Sequence, residues 1–189
     1  MDEFIAYVLQ FDNLNARQIE FISAKGREVT IAKDQFFAEA GKALRQVAFV
    51  KEGILRALYF KNNGEEVTNY FFEENRLLWN WIDLEEEIIP TQYLQAVTDC
   101  QLIAFSLKDW REISNTIISW EKIMQKIILK NHAEKLARRS SLVSQDATAR
   151  YKDFLEKYPL LVNRIPLSYI ASYLGITQSS LSRIRKNRR

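Results

Sequence analysis

The sequence predicts an α+β protein: an N-terminal antiparallel β-roll of the jelly-roll kind with flanking helices, one long helix, and a small all-α domain at the C-terminus. Three observations predict it. Short β-like runs separated by Gly and Asn turns fill residues 28–106. An apolar 4-3-4-3 spacing links Ile113, Ile117, Trp120, Met124 and Ile127. A small residue, a turn glycine and a basic helix then follow one another between Leu167 and Lys186.

Composition supports a packed core. Apolar residues make up 47% of the 189 residues, with Phe 11, Tyr 8 and Trp 4, which argues against disorder. Cys100 is the single cysteine, so no intrachain disulfide can form. The N-terminal MDEFIAYVLQ has two acids and no basic region, unlike a secretory signal. No apolar run approaches the about 20 residues of a membrane-spanning helix. The expectation is a soluble, cytoplasmic protein without a membrane partner.

Residues 1–26 read as helical, with Phe4, Ile5, Val8 and Leu9 on one face and Asn15 capping a second helix that carries Ile19 and Ile22. REVTIAKDQFF alternates like a strand. QVAFVKEGILRALYFK is a long β-rich run broken at Gly53, and Asn63-Gly64 is a hairpin signal because both positions tolerate positive φ. Glu66 to Phe72 reads as the returning strand, and Tyr93 to Ser106 as two more around Thr98-Asp99. From Trp110 to Ser140 a long helix is expected, with Asn131 extending the seam as a polar residue that fixes register. That seam, Ile117, Trp120, Met124, Ile127 and Asn131, is assigned to a homodimer interface, and Ile118, Ile123 and Ile128 to the face packed on the roll. The helix should break after Ser140, with a new one capped near Ser144 and stopped by Pro159. Domains are therefore expected at 1–109 (roll), 110–140 (dimerisation helix) and 141–189.

Charge is uneven. Residues 141–189 hold nine Lys/Arg against three Asp/Glu, whereas residues 1–140 hold 18 against 21. A basic quarter on an acidic body points to a polyanion-binding module. Counting from Leu167, Ala171 falls fifth and Gly175 ninth, with Ile170, Leu174, Ile176, Leu181 and Ile184 at the apolar positions. A helix-turn-helix needs this layout: a small residue where two steeply crossed helices touch, and a residue tolerant of positive φ in the turn. Thr177 then caps the second helix, and Gln178, Ser179, Ser182, Arg183 and Lys186 share its polar face. Small side chains admit the backbone to the major groove, Arg183 can pair bidentately with guanine, and Arg185 and Lys186 suit phosphates. The partner expected is double-stranded DNA.

The segments AFVKEGILRALYFKNNGEEV, the helix from Trp110, YKDFLEKYP, RIP, IASYLGIT and SLSRIRK together resemble the Crp/Fnr family of bacterial transcription regulators, in the branch common in Bacteroidetes. The resemblance implies a cyclic-nucleotide-binding-like roll, a dimerisation helix, and a homodimer on a two-fold DNA site read through Gln178, Ser179, Ser182 and Arg183. Ser179 departs from the family pattern, which often has Glu there. The chain ends three residues past Lys186, which is expected to leave no full β-wing. Phosphate contacts should then come from the helix ends, Arg164 and the tail from Arg185 to Arg189.

The effector region departs too. ENRLLWNWIDLEEEIIPTQYLQAV has no glycine and places Pro90, then Thr91, where nucleotide-binding members carry Arg and Ser or Thr. Proline cannot neutralise a phosphate, and Glu85, Glu86 and Glu87 would repel one. A cyclic nucleotide is therefore not expected to bind through the usual contacts, and any effector is unknown. Phe72, Leu78, Trp79, Trp81 and Thr91 are candidate lining residues of an effector pocket, or, with Phe71 and Leu77, core that fills the vacated space. No cofactor is expected: the iron–sulfur cysteines are missing, the roll has no His, and His132 has no companion ligand. No nucleophile–base pair or phosphate loop suggests an enzyme. The alternative reading is a ligand-sensing or scaffold protein whose helix-turn-helix binds another protein.

Overall fold

The computed structural model describes residues 1–78 and 90–187, with the side chains of these apart from 135 and 138–144. Two helices open the chain, α1 (Asp2–Val8) and α2 (Ala16–Ser23). Asn15 caps α2 in a reciprocal capping box with Gln18, each side chain accepting the other residue's backbone N–H at 2.9 Å. Eight strands follow: β1 (Arg27–Ile31), β2 (Phe36–Ala38), β3 (Gln46–Glu52), β4 (Leu55–Phe60), β5 (Glu66–Phe72), β6 (Arg76–Leu78), β7 (Tyr93–Ala96) and β8 (Cys100–Ser106). They form two four-stranded sheets, ordered β1-β8-β3-β6 and β2-β7-β4-β5, with every pairing antiparallel.

Side-chain alternation gives each sheet two different neighbours. Ala48 and Val50 of β3 join Leu55, Ala57, Tyr70, Phe72, Leu78, Leu94 and Leu102 in the interior between the sheets. Val47 and Phe49, one residue out of step, point the other way, onto Phe4, Val8, Trp110, Trp120 and Ile127. Cys100 lies in the interior cluster, where burial pushes its thiol pKa up, as suits a strand residue.

The turns depart in detail from the sequence reading. Gly53 takes φ +101° between β3 and β4, and a Cβ there would lie 2.6 Å from the Asp99 carbonyl oxygen. In the β4–β5 hairpin only Gly64 takes positive φ, at +81°, and Asn63 does not. The Lys61 carbonyl accepts the Gly64 N–H and Asn63 Oδ1 accepts the Glu65 N–H, so the loop is longer than a two-residue turn.

The expected single helix from Trp110 to Ser140 is two helices, α3 (Leu107–Thr116) and α4 (Trp120–Ser144). Ser106 caps α3 by accepting the Asp109 N–H, and the chain turns extended at Ile117 (φ −100°, ψ 102°). The break lets Ile117 and Trp120 both enter the core, with the Trp110 and Trp120 rings 5.3 Å apart. At its other end α4 runs through Ser140 to Ser144, so the helix does not break where expected. The helical C-terminal region comprises α5 (Ala147–Lys157), a 3₁₀ turn (Leu161–Asn163), α6 (Leu167–Leu174) and α7 (Gln178–Lys186). Asp146, not Ser144, caps α5. Among the described residues no helix is long and apolar enough to cross a membrane, and no cluster of His, Cys, Asp and Glu could hold a metal ion.

Candidate nucleic-acid interface

Helices α6 and α7 form a helix-turn-helix. Gly175 ends α6 in the left-handed conformation, φ +67° and ψ 35°, and the Ile176 N–H returns to the Ala171 carbonyl at 3.0 Å. Ile170, Ala171, Leu174 and Leu181 are buried together, with Ile176 and Ile184 against them. Thr177 caps α7: its hydroxyl accepts the Ser180 N–H at 3.2 Å. Arg150 of α5 donates to the Leu174 carbonyl at 2.7 Å, satisfying an end group of α6 that helical bonding leaves open.

The turn and cap leave one face of α7 to solvent. Thr177, Gln178, Ser179, Ser182, Arg183, Arg185 and Lys186 are all exposed. Among the described residues no ion pair holds Arg183, Arg185 or Lys186. The three cations also occupy the last turn of α7, where they meet the negative end of the helix dipole. The arrangement is a narrow, polar, positively charged ridge, which can enter a groove of the same width and opposite charge.

Helix α6 faces the other way, onto the roll, and the sequence reading missed this contact. β5 is an edge strand, and Ser172 of α6 covers that edge: its hydroxyl accepts the Thr68 N–H at 2.9 Å and donates to the Glu66 carbonyl at 3.3 Å. Alternation turns Arg56 outward from β4, where it is 1% exposed. Its guanidinium lies 3.6 Å from the centre of the Tyr169 ring and donates to Gln95, Thr68 and Glu66. Ile54, Phe71 and Val97 of the roll join the same cluster as the helix-turn-helix core, with Phe71 and Tyr173 rings 5.3 Å apart. A lone charge within the apolar run ILRALYF was the available sequence signal for Arg56.

Arg164, expected at phosphate, is paired with the roll. Its guanidinium forks onto the Glu74 carboxylate at 3.0 and 2.5 Å. Glu74 also accepts the Gly53 N–H at 2.8 Å. Burial works to raise the Glu74 pKa, but the hydrogen bonds from Arg164 and from backbone N–H groups outweigh it and hold the carboxyl below its ordinary value.

The residues assigned to a dimer seam are corrected by their burial. Ile117, Trp120, Met124, Ile127 and Asn131 all pack within the chain, none more than 8% exposed, and the four apolar ones lie in the core beneath β3. Ile123 is buried with them, whereas Ile118, assigned to the inner face, is 99% exposed at the α3–α4 turn. The outer face of α4 instead carries Leu129 and Leu136, 69% and 66% exposed. A 4-3-4-3 stripe identifies an apolar face without saying what covers it.

The candidate effector residues that are described fall in several places. Phe72 and Leu78 belong to the roll interior, Phe71 to the contact with α6, and Leu77 to the core under α1, while Thr91 is exposed. Trp79 and Trp81, with Glu85, Glu86 and Glu87, lie outside the described residues. Pro90 is buried, and its carbonyl accepts the Gly41 N–H at 2.9 Å. His132 is exposed on α4.

No protein-family model and no curated protein matches the sequence. Solved structures do match the fold. FixK2 from Bradyrhizobium japonicum superposes with a TM-score of 0.75 at 15% identity, covering 86% of this chain and 83% of that one. The c-di-GMP-responsive global regulator CLP from Xanthomonas campestris gives 0.70 at 16% identity, over 92% and 91%. A protein from Eubacterium rectale described as a regulator of the crp/fnr family gives 0.71 at 16% identity, over 92% and 83%. The order of roll, long helix and helix-turn-helix in this chain is therefore the fold of these solved structures.

Proposed function

We propose that the protein is a transcription regulator that binds double-stranded DNA as a homodimer, with α7 in the major groove. The observation that carries the reading is the unengaged polar-basic face of α7, set out by the left-handed turn at Gly175 and the Thr177 cap. In this reading Arg183 pairs with a base, Gln178, Ser179 and Ser182 fit the groove wall, and Thr177, Arg185 and Lys186 hold phosphates. The fold shared with two regulators supports it.

The partner of the outer face of α4 is a second copy of this chain. Leu129 and Leu136 are one heptad apart and exposed, with the exposed Ala133 and Ala137 between and beside them. Pairing two such faces sets two α7 helices about one DNA turn, ~34 Å, apart, as a two-fold operator requires. The roll acts without cAMP, because Pro90 stands where a phosphate-binding cation would be needed and is packed against the backbone at Gly41.

Selection from a randomised duplex pool tests the reading, with the wild type beside Arg183→Ala and the pair Leu129→Gln/Leu136→Gln. The wild type should yield a palindrome without added ligand. Arg183→Ala should relax one position per half-site at a cost of about 1–3 kcal/mol. The α4 pair should enrich single half-sites. Enrichment of no sequence by the wild type overturns the proposal.

A further inference from the structure

Among the described residues, polar contacts of Ser172, Arg56 and Arg164 join the helical domain to the roll, and the last uses a cation whose position suits DNA. Arg164 sits three residues before Leu167, in the turn that leads into α6. In a helix-turn-helix the first helix crosses the DNA backbone, so a guanidinium at its entrance is placed to meet a phosphate. In the observed arrangement that guanidinium presents two donors to both oxygens of Glu74. A planar fork bound bidentately to a carboxylate cannot bind a phosphate in the same way at the same time. Glu74 and DNA therefore compete for one side chain.

The rest of the interface is built to open. Ser172 holds the Thr68 N–H and the Glu66 carbonyl on an edge strand, where water can replace the hydroxyl on both groups. Arg56 keeps its partners Gln95, Thr68 and Glu66 within the roll when Tyr169 leaves its face. Separation thus leaves the Arg56 charge paired, and among the described residues the roll contributes Ile54, Phe71 and Val97 to the apolar part. Glu74 is also anchored on its own side, by the Gly53 N–H, so the carboxylate stays in place when Arg164 departs.

We propose that Glu74 is a latch that lowers DNA affinity by holding Arg164 and, through it, the helix-turn-helix against the roll. Binding DNA transfers Arg164 from the carboxylate to a phosphate and frees α6 from β5. The inference rests on the DNA-binding reading above, and two independent readouts separate the two. In duplex titrations against salt, Glu74→Gln keeps the shape and the acceptor for Gly53 but releases the charge. Its affinity should rise about tenfold while the slope of log affinity on log salt stays the same, since Arg164 meets a phosphate in both complexes. Arg164→Ala, alone or added to Glu74→Gln, should make that slope shallower by about 0.9 for each half-site. Unchanged affinity in Glu74→Gln, or an unchanged slope in Arg164→Ala, overturns the transfer. Without DNA, hydrogen exchange at the Thr68 amide reports whether α6 is docked. Faster exchange in Glu74→Gln supports the latch, and unchanged exchange overturns it. This second arm decides even if the wild type binds no duplex, a result that would refute the functional reading instead.

Discussion

Helices α6 and α7 have almost the same length and share one tight turn, yet they are held in opposite ways. α6 buries Ile170, Ala171, Tyr173 and Leu174, half of its eight residues, between the roll and the rest of the helical domain. α7 buries Leu181 alone among nine. A helix with one anchor depends on its ends: the Gly175 turn fixes its direction and the Thr177 cap its start. The difference separates two tasks that the motif combines. α6 ties the module to the roll, and α7 is left polar so that its face can meet something else.

Truncating the anchor on the α6 side tests this division most severely. Tyr173→Ala removes a ring packed at 5.3 Å from Phe71, 5.4 Å from Phe154 and 6.1 Å from Tyr158. The loss should be about 4 kcal/mol, as for other large aromatic truncations. It should appear both as a lower urea midpoint for the helical region and as faster exchange of the Thr68 amide, because the same ring belongs to the domain core and to the contact with β5. A stability loss with unchanged exchange would show that α6 docks without it. On the α7 side, Leu181→Ala should cost about 3 kcal/mol. Its effect should be confined to the α6–α7 pair, leaving the Thr68 amide protected. Equal exposure of that amide in both variants would erase the proposed asymmetry.

The two helices also differ in how readily the sequence declares them. The α6–α7 motif is local: Ala171, Gly175, Thr177 and Leu181 have fixed spacings, and each answers a steric or hydrogen-bonding need within ten residues of its neighbour. The strands of the roll were legible for a similar reason, since alternation and glycine turns are short-range signals. What escaped was long-range. The short β6 pairs with β3, 28 residues away at Phe49 and Leu77, and nothing in its own three residues marks it. The stripe from Ile117 to Ile127 was read as a seam for a second chain because spacing carries no information about the covering surface; the roll already covers it. Arg164 was read as a phosphate ligand from its charge and place, and its pairing with Glu74, 90 residues earlier, is a property of the assembled fold.

The smallest effect expected is also the most discriminating for α7. Thr177→Ala removes a hydroxyl that accepts the Ser180 N–H at 3.2 Å and bonds the Ser180 hydroxyl at 2.9 Å. Loss of such a cap costs about 1 kcal/mol of folding stability. In a domain that remains folded, this alone changes the population able to bind very little, so cap loss by itself would hardly move duplex affinity. The hydroxyl is exposed at the end of the helix that faces the groove in the proposed mode, where a phosphate could share it. If affinity falls tenfold or more while the urea midpoint drops only by the cap's share, Thr177 touches the DNA as well as the helix. If affinity stays nearly unchanged while the urea midpoint drops, its part is structural, and the DNA-contacting face of α7 begins at Gln178.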